Sequence, residues 1–349
     1  MLILFLQVFL NGIRALKISE SKFFYTKKLP LFEGIFFSVI IPALTTVLIL
    51  FFREGKYARI YATLVSSLIF AIPIAVSIIK KGKCKLFDKE CWSFLLKYTL
   101  PSLPHYISTA LIWQIGKIIV ANKFSSAEAG LLALAISVGL LPSLITLGMQ
   151  SALIPWITRK LDTGEGGQRK IYSLIGSVFL PICLLTTLFL LLCPELFRIM
   201  SAKDYHGALS SVYPIAASVP QVFLTNVFCA EISYYKKTHL VALGSVAGAI
   251  LTLFFNLLFT FKLGYIFSAF LMPIVFLFMS CVYILILKRK FSHSFLKVKR
   301  LIGTYFVFIL FIGMAAFLRI SFLSRALLSL AVIMTLFPKI KELKPLWSE

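Results

Sequence analysis

Long, unbroken apolar runs constrain this chain more than any other feature. They recur at approximately 31–52, 60–79, 99–121, 130–156, 171–193, 208–232, 239–259, 264–287, 301–318 and 321–338. About 20 consecutive apolar residues cross a bilayer as a helix, whereas the strands of a transmembrane barrel alternate apolar and polar residues over ~10-residue segments. No such alternation is visible here. Hydrophobic residues make up 60% of the 349, and charged residues only 14%, well below the ~25% of soluble domains. That balance excludes a water-soluble globule and a disordered chain. The expected fold class is all-α, a polytopic transmembrane helical bundle with about ten complete spans and an N-terminal half-span. The 130–156 run is longer than an upright span requires, so tilt or a break near Pro142 is expected.

Basic residues outnumber acidic ones by 36 to 13, for a net charge of +23. Their placement accounts for most of the excess. Summed over alternate loops, 26 fall on one side of the membrane and 9 on the other, leaving Lys117 inside a span. Lys and Arg in short loops mark the cytoplasmic side, where anionic lipid also attracts them. The C-terminus is expected on that side. Membrane lipids are therefore the expected surroundings of these cations, and no nucleic-acid partner is expected.

Residues 1–13 (MLILFLQVFLNGI) are apolar but only half a span long, and the basic loop read after them is cytoplasmic. They lack the basic n-region and cleavage site of a signal peptide. The expected reading is the inner half of a descending helix, in a chain truncated at its N-terminus.

Motifs for catalysis or cofactor binding are missing. The sequence has no GxxxxGK[ST] phosphate loop and no HExxH pair. Gly164, Gly166 and Gly167 read as a flexible turn. The six cysteines show no zinc-type spacing; Cys84 and Cys91 share a basic loop, and the others lie in spans. No cofactor, no metal and no enzymatic activity are expected.

Polar side chains inside spans are costly and are therefore the candidate functional residues. The 99–121 span carries His105, Gln114 and Lys117, with Gln114 and Lys117 on one helix face at i, i+3 spacing. Two readings of Lys117 are open: snorkelling to the outer interface, or facing a cavity that receives an anionic group. Gln150 and Asn226 are further candidates, and Asn256 is another intramembrane polar position. Interhelical hydrogen bonding accounts for these three as well as ligand binding does. Glu33 and Glu231 are the only acidic residues in spans, both near cytoplasmic ends, so no carboxylate is placed for ion coupling at mid-membrane. Residues 86–98, with Phe87, Cys91, Trp92, Phe94, Leu95 and Leu96 between lysines, read as an interfacial amphipathic helix.

Several stretches together resemble the polysaccharide (lipid-linked oligosaccharide) flippases of the multidrug/oligosaccharidyl-lipid/polysaccharide exporter superfamily. Pro101, Leu103, Pro104, Lys117, Ile118, Ile119, Ala129, Gly130 and Ala133 match the family's "glP.lp", "DRI" and "aG.y.la" segments. Pro194, Glu195, Tyr205 and Ala208 match its "apeii.il.g..Y..A" linker. Tyr235, Lys236, Lys237, Thr238, Asn256, Gly264, Tyr265 and Ala269 match "Y.kkt......t..a..N...N...ip.fGy.gAa". The matches run in family order over about 86–290.

The resemblance implies a fourteen-helix parent of two six-helix lobes and a final pair. Residues 1–85 would be a remnant of the first lobe, 86–98 the linker, 99–290 the second lobe, and 291–349 the last pair with a cytoplasmic tail. It implies transport of undecaprenyl-diphosphate-linked oligosaccharide across a bacterial inner membrane for surface polysaccharide assembly. Polysaccharide-assembly membrane proteins would be partners. Lys117, Gln114, His105, Gln150 and Asn226 would bind substrate, with Lys117 holding the diphosphate. The family's acidic residue of "DRI" is Gly116 here, which removes a charge from that site. Alternating access needs two lobes, so a chain holding one lobe and a remnant of the other is not expected to transport alone. Alternative readings are a multidrug-type exporter, which would favour acidic cavity residues, and a membrane-embedded polymerase or ligase, which would need a sizeable outer loop.

Overall fold

The computed structural model describes residues 2–23, 28–52, 55–81, 88–200, 202–291, 298–317, 324–325 and 327–335. Among these residues every regular element is a helix: a polytopic helical membrane bundle. In chain order the helices are α1 (Leu2–Phe23), α2 (Lys28–Phe52), α3 (Gly55–Lys81), α4 (Lys89–Thr99), α5 (Leu103–Lys123), α6 (Ser126–Gly139), α7 (Ser143–Leu161), α8 (Glu165–Met200), α9 (Leu209–Ala217), α10 (Val219–Tyr234), α11 (Thr238–Phe255), α12 (Phe261–Leu263), α13 (Ile266–Phe291) and α14 (Val298–Phe317). Residues 327–335 are helical as well.

Six helices among the described residues are long and apolar enough to cross a membrane, or seven if the bent pair α6–α7 is one span. This differs from the ten spans read in the sequence. α5 is outside the set because His105, Gln114, Lys117, Asn122 and Lys123 interrupt its apolar character. α14 enters only as a shorter apolar helix, Leu301–Leu310. The break expected near Pro142 is present: α6 and α7 meet at 49°.

Two compact units divide the chain, 1–92 and 93–349. In the first, α1, α2 and α3 pack together. Phe36 meets Phe70 with ring centroids 4.6 Å apart. The loop read at 14–28 is a correction: α1 continues to Phe23, so Arg14 and Lys17 are helical. Arg14 Nε donates to Glu33 Oε1 at 2.6 Å, and its Nη1 donates to Asn11 Oδ1 at 2.8 Å. Its guanidinium also covers the Phe37 ring at 3.7 Å. A cation inside an apolar three-helix unit is tolerable with such neighbours, since the alternative is an unpaired charge. Arg14 is thus, like Lys117, a cation on a helix, and it is held in an ion pair.

The second unit holds the main core, with α9, α10 and α13 at its centre. Val212, Ile215, Phe223, Phe228, Met279 and Tyr283 are all fully enclosed. Small residues set the closest crossings. Gly244 and Gly248, four apart on α11, face Tyr283 and Met279 of α13; a Cβ at Gly248 would lie 2.9 Å from Met279 Sδ. This is the small-xxx-small packing that membrane helices use in place of a hydrophobic driving force. Tyr283 then donates its hydroxyl to the Val241 carbonyl at 2.8 Å.

α11 ends in a π-turn over Asn256–Thr260, and π-turns leave backbone groups off the regular ladder. Asn256 is fully buried there. Its Oδ1 accepts from Ser268 Oγ at 2.5 Å and Thr260 Oγ1 at 2.9 Å, while its Nδ2 donates to the Thr252 carbonyl at 2.8 Å. Asn256 thus serves interhelical bonding, as one of its two readings expected.

Candidate functional site

A polar seam runs along the contact of α7 and α10. Gln150 projects from α7 and is 5% exposed. Asn226 of α10 is half-buried, and its Nδ2 donates to Gln150 Oε1 at 3.2 Å. α10 is the most enclosed part of its span, and its accessible surface narrows to one stripe: Val222, Asn226, Ala230 and Ser233. Buried amide groups are normally paired, yet Gln150 Nε2 has no hydrogen-bond partner among the described residues. Trp156 Nε1, six residues further along α7, shares that condition. A buried amide donor without an acceptor beside an accessible stripe suits a hydroxyl-rich or oxyanion-bearing ligand.

The other three candidates belong to α5. This helix buries Ser108, Ile112, Ile115, Gly116 and Val120, packing on α11 and α6. Gln114 is exposed and Lys117 half-buried. Around Gln114 the accessible face is apolar, made of Tyr106, Ile107, Leu111 and Ile118. His105 is half-buried and its Nδ1 has no hydrogen-bond partner. Nine residues at about 100° per residue place His105 on the opposite side of α5 from Gln114. The five candidates therefore fall into a bonded pair, Gln150–Asn226, a same-face pair, Gln114–Lys117, and His105 apart. No hydrogen bond among the described residues joins α5 to the seam.

Gly116, where the resembling family carries an acid, lies against the polar knot of α11 and α13. A Cβ there would stand 3.1 Å from Ser268 Cβ and 3.8 Å from Asn256 Oδ1. Glycine lets α5 approach a neutral, internally bonded cluster.

Two apolar crevices flank α14. One, of about 620 Å³, is lined by Tyr213 and Pro214 of α9, Phe270 and Pro273 of α13, and Tyr305 and Gly313 of α14. Tyr305 closes its floor by donating to the Ala217 carbonyl at 3.0 Å, a carbonyl at the break between α9 and α10. The other, of about 410 Å³, lies against α8 at Cys183 and Thr187, with Val307, Phe308 and Val332 opposite. Crevices of this character accept hydrocarbon chains.

Some relationships were not visible in the sequence. Tyr172 of α8 donates to Glu231 of α10 at 2.6 Å, which shelters the carboxylate read near a span end. Arg325 donates to Glu195 of α8 at 2.6 Å. Gly244-x-x-x-Gly248 is a spacing that could have announced the α11–α13 crossing. No spacing announces the two ion and phenol pairs, whose partners are 59 and 130 residues apart. Cys84, the neighbouring loop cations and the tail cations Lys339, Lys341 and Lys344 lie outside the described residues.

No known protein-family profile matches the chain. Two curated relatives come from Haemophilus influenzae. An uncharacterized membrane protein is 25% identical over 229 residues, 62% of this chain and 55% of that protein. Lsg locus putative protein 1 is 25% identical over 180 residues, 49% of this chain and 43% of that protein. The chain thus spans about half the length of the curated relatives it matches. Among solved structures, the lipid II flippase MurJ in an inward closed conformation superposes with a TM-score of 0.60 over 96% of this chain and 70% of its own, at 14% identity. That likeness shows the fold: a MurJ-like helical bundle.

Proposed function

We propose that the chain belongs to a flippase-type membrane transporter, one that moves an undecaprenyl-diphosphate-linked oligosaccharide across the bacterial inner membrane. It would serve surface polysaccharide biosynthesis alongside other polysaccharide-assembly membrane proteins, with its C-terminus in the cytoplasm. The likeness to the lipid II flippase over 96% of the chain carries this reading. It agrees with the ordered motif resemblance over about 86–290.

The division of chemistry fits such a substrate. The crevices beside α14 offer apolar surface for a polyprenyl chain. Gln150 Nε2 and Asn226 offer hydrogen-bonding groups to sugar hydroxyls. Lys117, with Gln114 one turn away, offers the cation for a diphosphate; an ammonium is a compact point charge for that purpose. His105 would meet substrate only on the other side of α5.

The test is binding by the purified chain of a fluorescent undecaprenyl-diphosphate saccharide, compared with the same saccharide on undecaprenol. The expected result is tighter binding of the diphosphate form and loss of that preference, by about tenfold, in Lys117→Gln. Equal binding of both lipids by the unsubstituted chain would overturn the reading. An unchanged preference in Lys117→Gln would remove Lys117 from it.

A further inference from the structure

At one rim of the second unit, α4, the turn after α10 and the end of α13 meet. Phe94 and Tyr98 of α4 lie stacked at 6.4 Å. Thr238, the first residue of α11, donates its hydroxyl to the Tyr98 carbonyl at 3.3 Å. Tyr235, in the turn between α10 and α11, stacks on Phe291 at the end of α13 with centroids 4.2 Å apart and rings 14° from parallel. The end of α4, the 235–238 turn and the end of α13 therefore form one surface.

That surface is crowded with cations: Lys97, Lys236, Lys237, Lys288, Arg289 and Lys290, all exposed. Of the carboxylates near it, Glu90 lies two turns before Lys97 on α4, Asp88 caps that helix by accepting from the Glu90 and Cys91 amides, and two more are engaged by tyrosines. Asp162 accepts from the Tyr234 hydroxyl and Glu231 accepts from Tyr172. No ion pair among the described residues involves the six cations. Lys236 is the one described non-glycine residue with positive φ, 56°, a conformation that crowds a Cβ against the following carbonyl. The turn holds it there through the Lys236 amide, which donates to the Ser233 carbonyl at 2.9 Å. The result carries the ammonium over the face of Phe94 at 5.4 Å.

Phe94, Leu95 and Leu96 are each half exposed or more, and no residue of α4 is buried. An apolar helix face bordered by lysines, at the end of a membrane bundle, lies in the plane of the headgroups. Its cations then sit at phosphate level, where basic patches at the ends of membrane helices bind anionic headgroups.

We propose that this rim is a binding surface for the phosphodiester headgroups of anionic membrane phospholipid. Phe94–Tyr98 would rest among the acyl chains, and Lys97, Lys236, Lys237 and Lys290 would hold the phosphates. By the distribution of basic residues the leaflet is the cytoplasmic one. This inference is independent of what the protein transports.

The test uses the full chain in phosphatidylcholine vesicles containing trace spin-labelled phosphatidylglycerol or spin-labelled phosphatidylcholine. The measurement is the motionally restricted fraction of each. Preference for phosphatidylglycerol is expected, falling at least about threefold in the triple variant Lys236→Gln, Lys237→Gln, Lys290→Gln. It should be unchanged in Lys262→Gln, which is exposed at the opposite rim. Unfolding temperatures of both variants check that the fold survives. Equal restriction of the two lipids would overturn the proposal, as would equal losses in the two variants. Displacement of the labelled phosphatidylglycerol by millimolar inorganic diphosphate would also overturn it, because the site would then read a soluble phosphate.

Discussion

Ser268 of α13 donates its hydroxyl to Asn256 Oδ1 across 2.5 Å at the π-turn that ends α11, and α5 presses Gly116 against the same serine. Three helices are joined at a point with no charge. The asparagine is engaged at both ends: its oxygen takes two hydroxyls and its amide reaches the Thr252 carbonyl.

Asn256→Leu should therefore strip Ser268 and Thr260 of their shared acceptor in a fully buried site. A loss of about 1–2 kcal/mol is expected, since membrane hydrogen bonds contribute ~0.6 kcal/mol on average and up to ~1.7. A thiol-reactive dye during heating reads it, because Cys183, Cys193 and Cys229 are buried in the folded chain. An unchanged melting profile would count against the knot as a stabilising element.

Gly116→Asp should be worse, by about 3 kcal/mol or more, because it buries a carboxylate without a cation. Its Cβ also meets Ser268 Cβ at 3.1 Å. Gly116→Ala should cost less than half as much. Equal costs for the two variants would mean that crowding alone decides the position.

Gly244→Ala places a methyl well inside contact distance of the Tyr283 ring. Overpacking of this kind typically costs 1–3 kcal/mol. Tyr283→Leu should also destabilise, since it removes the bond to the Val241 carbonyl. The double variant should cost less than the sum, because the smaller side chain frees the space the methyl needs. Strict additivity would show that the two residues do not share a contact.

Arg325 and Glu195 are each about one-fifth exposed, 18% and 22%, and 2.6 Å apart. Removing either partner leaves a poorly solvated charge, so Arg325→Ala or Glu195→Ala should each cost about 2 kcal/mol. Solvent access reduces that figure from the value for full burial. Removing both should cost less than the two single losses combined. A double variant as damaged as the sum would contradict a direct pair.

Gln150→Met separates stability from ligand binding. Gln150 Nε2 has no partner among the described residues, while its Oε1 accepts from Asn226 at 3.2 Å, so replacing it with a side chain of similar size gives up one hydrogen bond, a loss of about 1 kcal/mol. Binding of the lipid-linked saccharide should weaken several-fold. Unchanged binding would remove the seam from the proposed site.

The legible and illegible parts of the fold divide along physical lines. The apolar runs announced helices wherever the membrane itself imposes the requirement, because twenty residues of hydrocarbon-compatible surface need no knowledge of neighbours. Pro142 announced the α6–α7 break because proline removes a backbone donor locally. Arg14 was misread as a loop residue, since nothing along the chain reveals that Glu33 and Phe37 wait beside it. Within the candidate site, the identities of Gln150 and Asn226 could be picked out as polar residues in apolar surroundings. Their bond across 76 residues could not. Periodicity put Gln114 and Lys117 on one face, and the same periodicity turned His105 away from it.

The sequence by itself determined the solvent this protein folds in and the helical class, and its cations gave an expectation of sidedness. Each follows from local hydrophobicity and charge. Tertiary structure alone decided which polar groups satisfy one another and which remain open. Asn256 is spent within a knot of neutral groups, Glu231 and Glu195 are taken by Tyr172 and Arg325, and Gln150 keeps a donor to offer. The reason is that pairing in a buried interior depends on helix crossings, and here the close approaches occur at Gly116, Gly244 and Gly248.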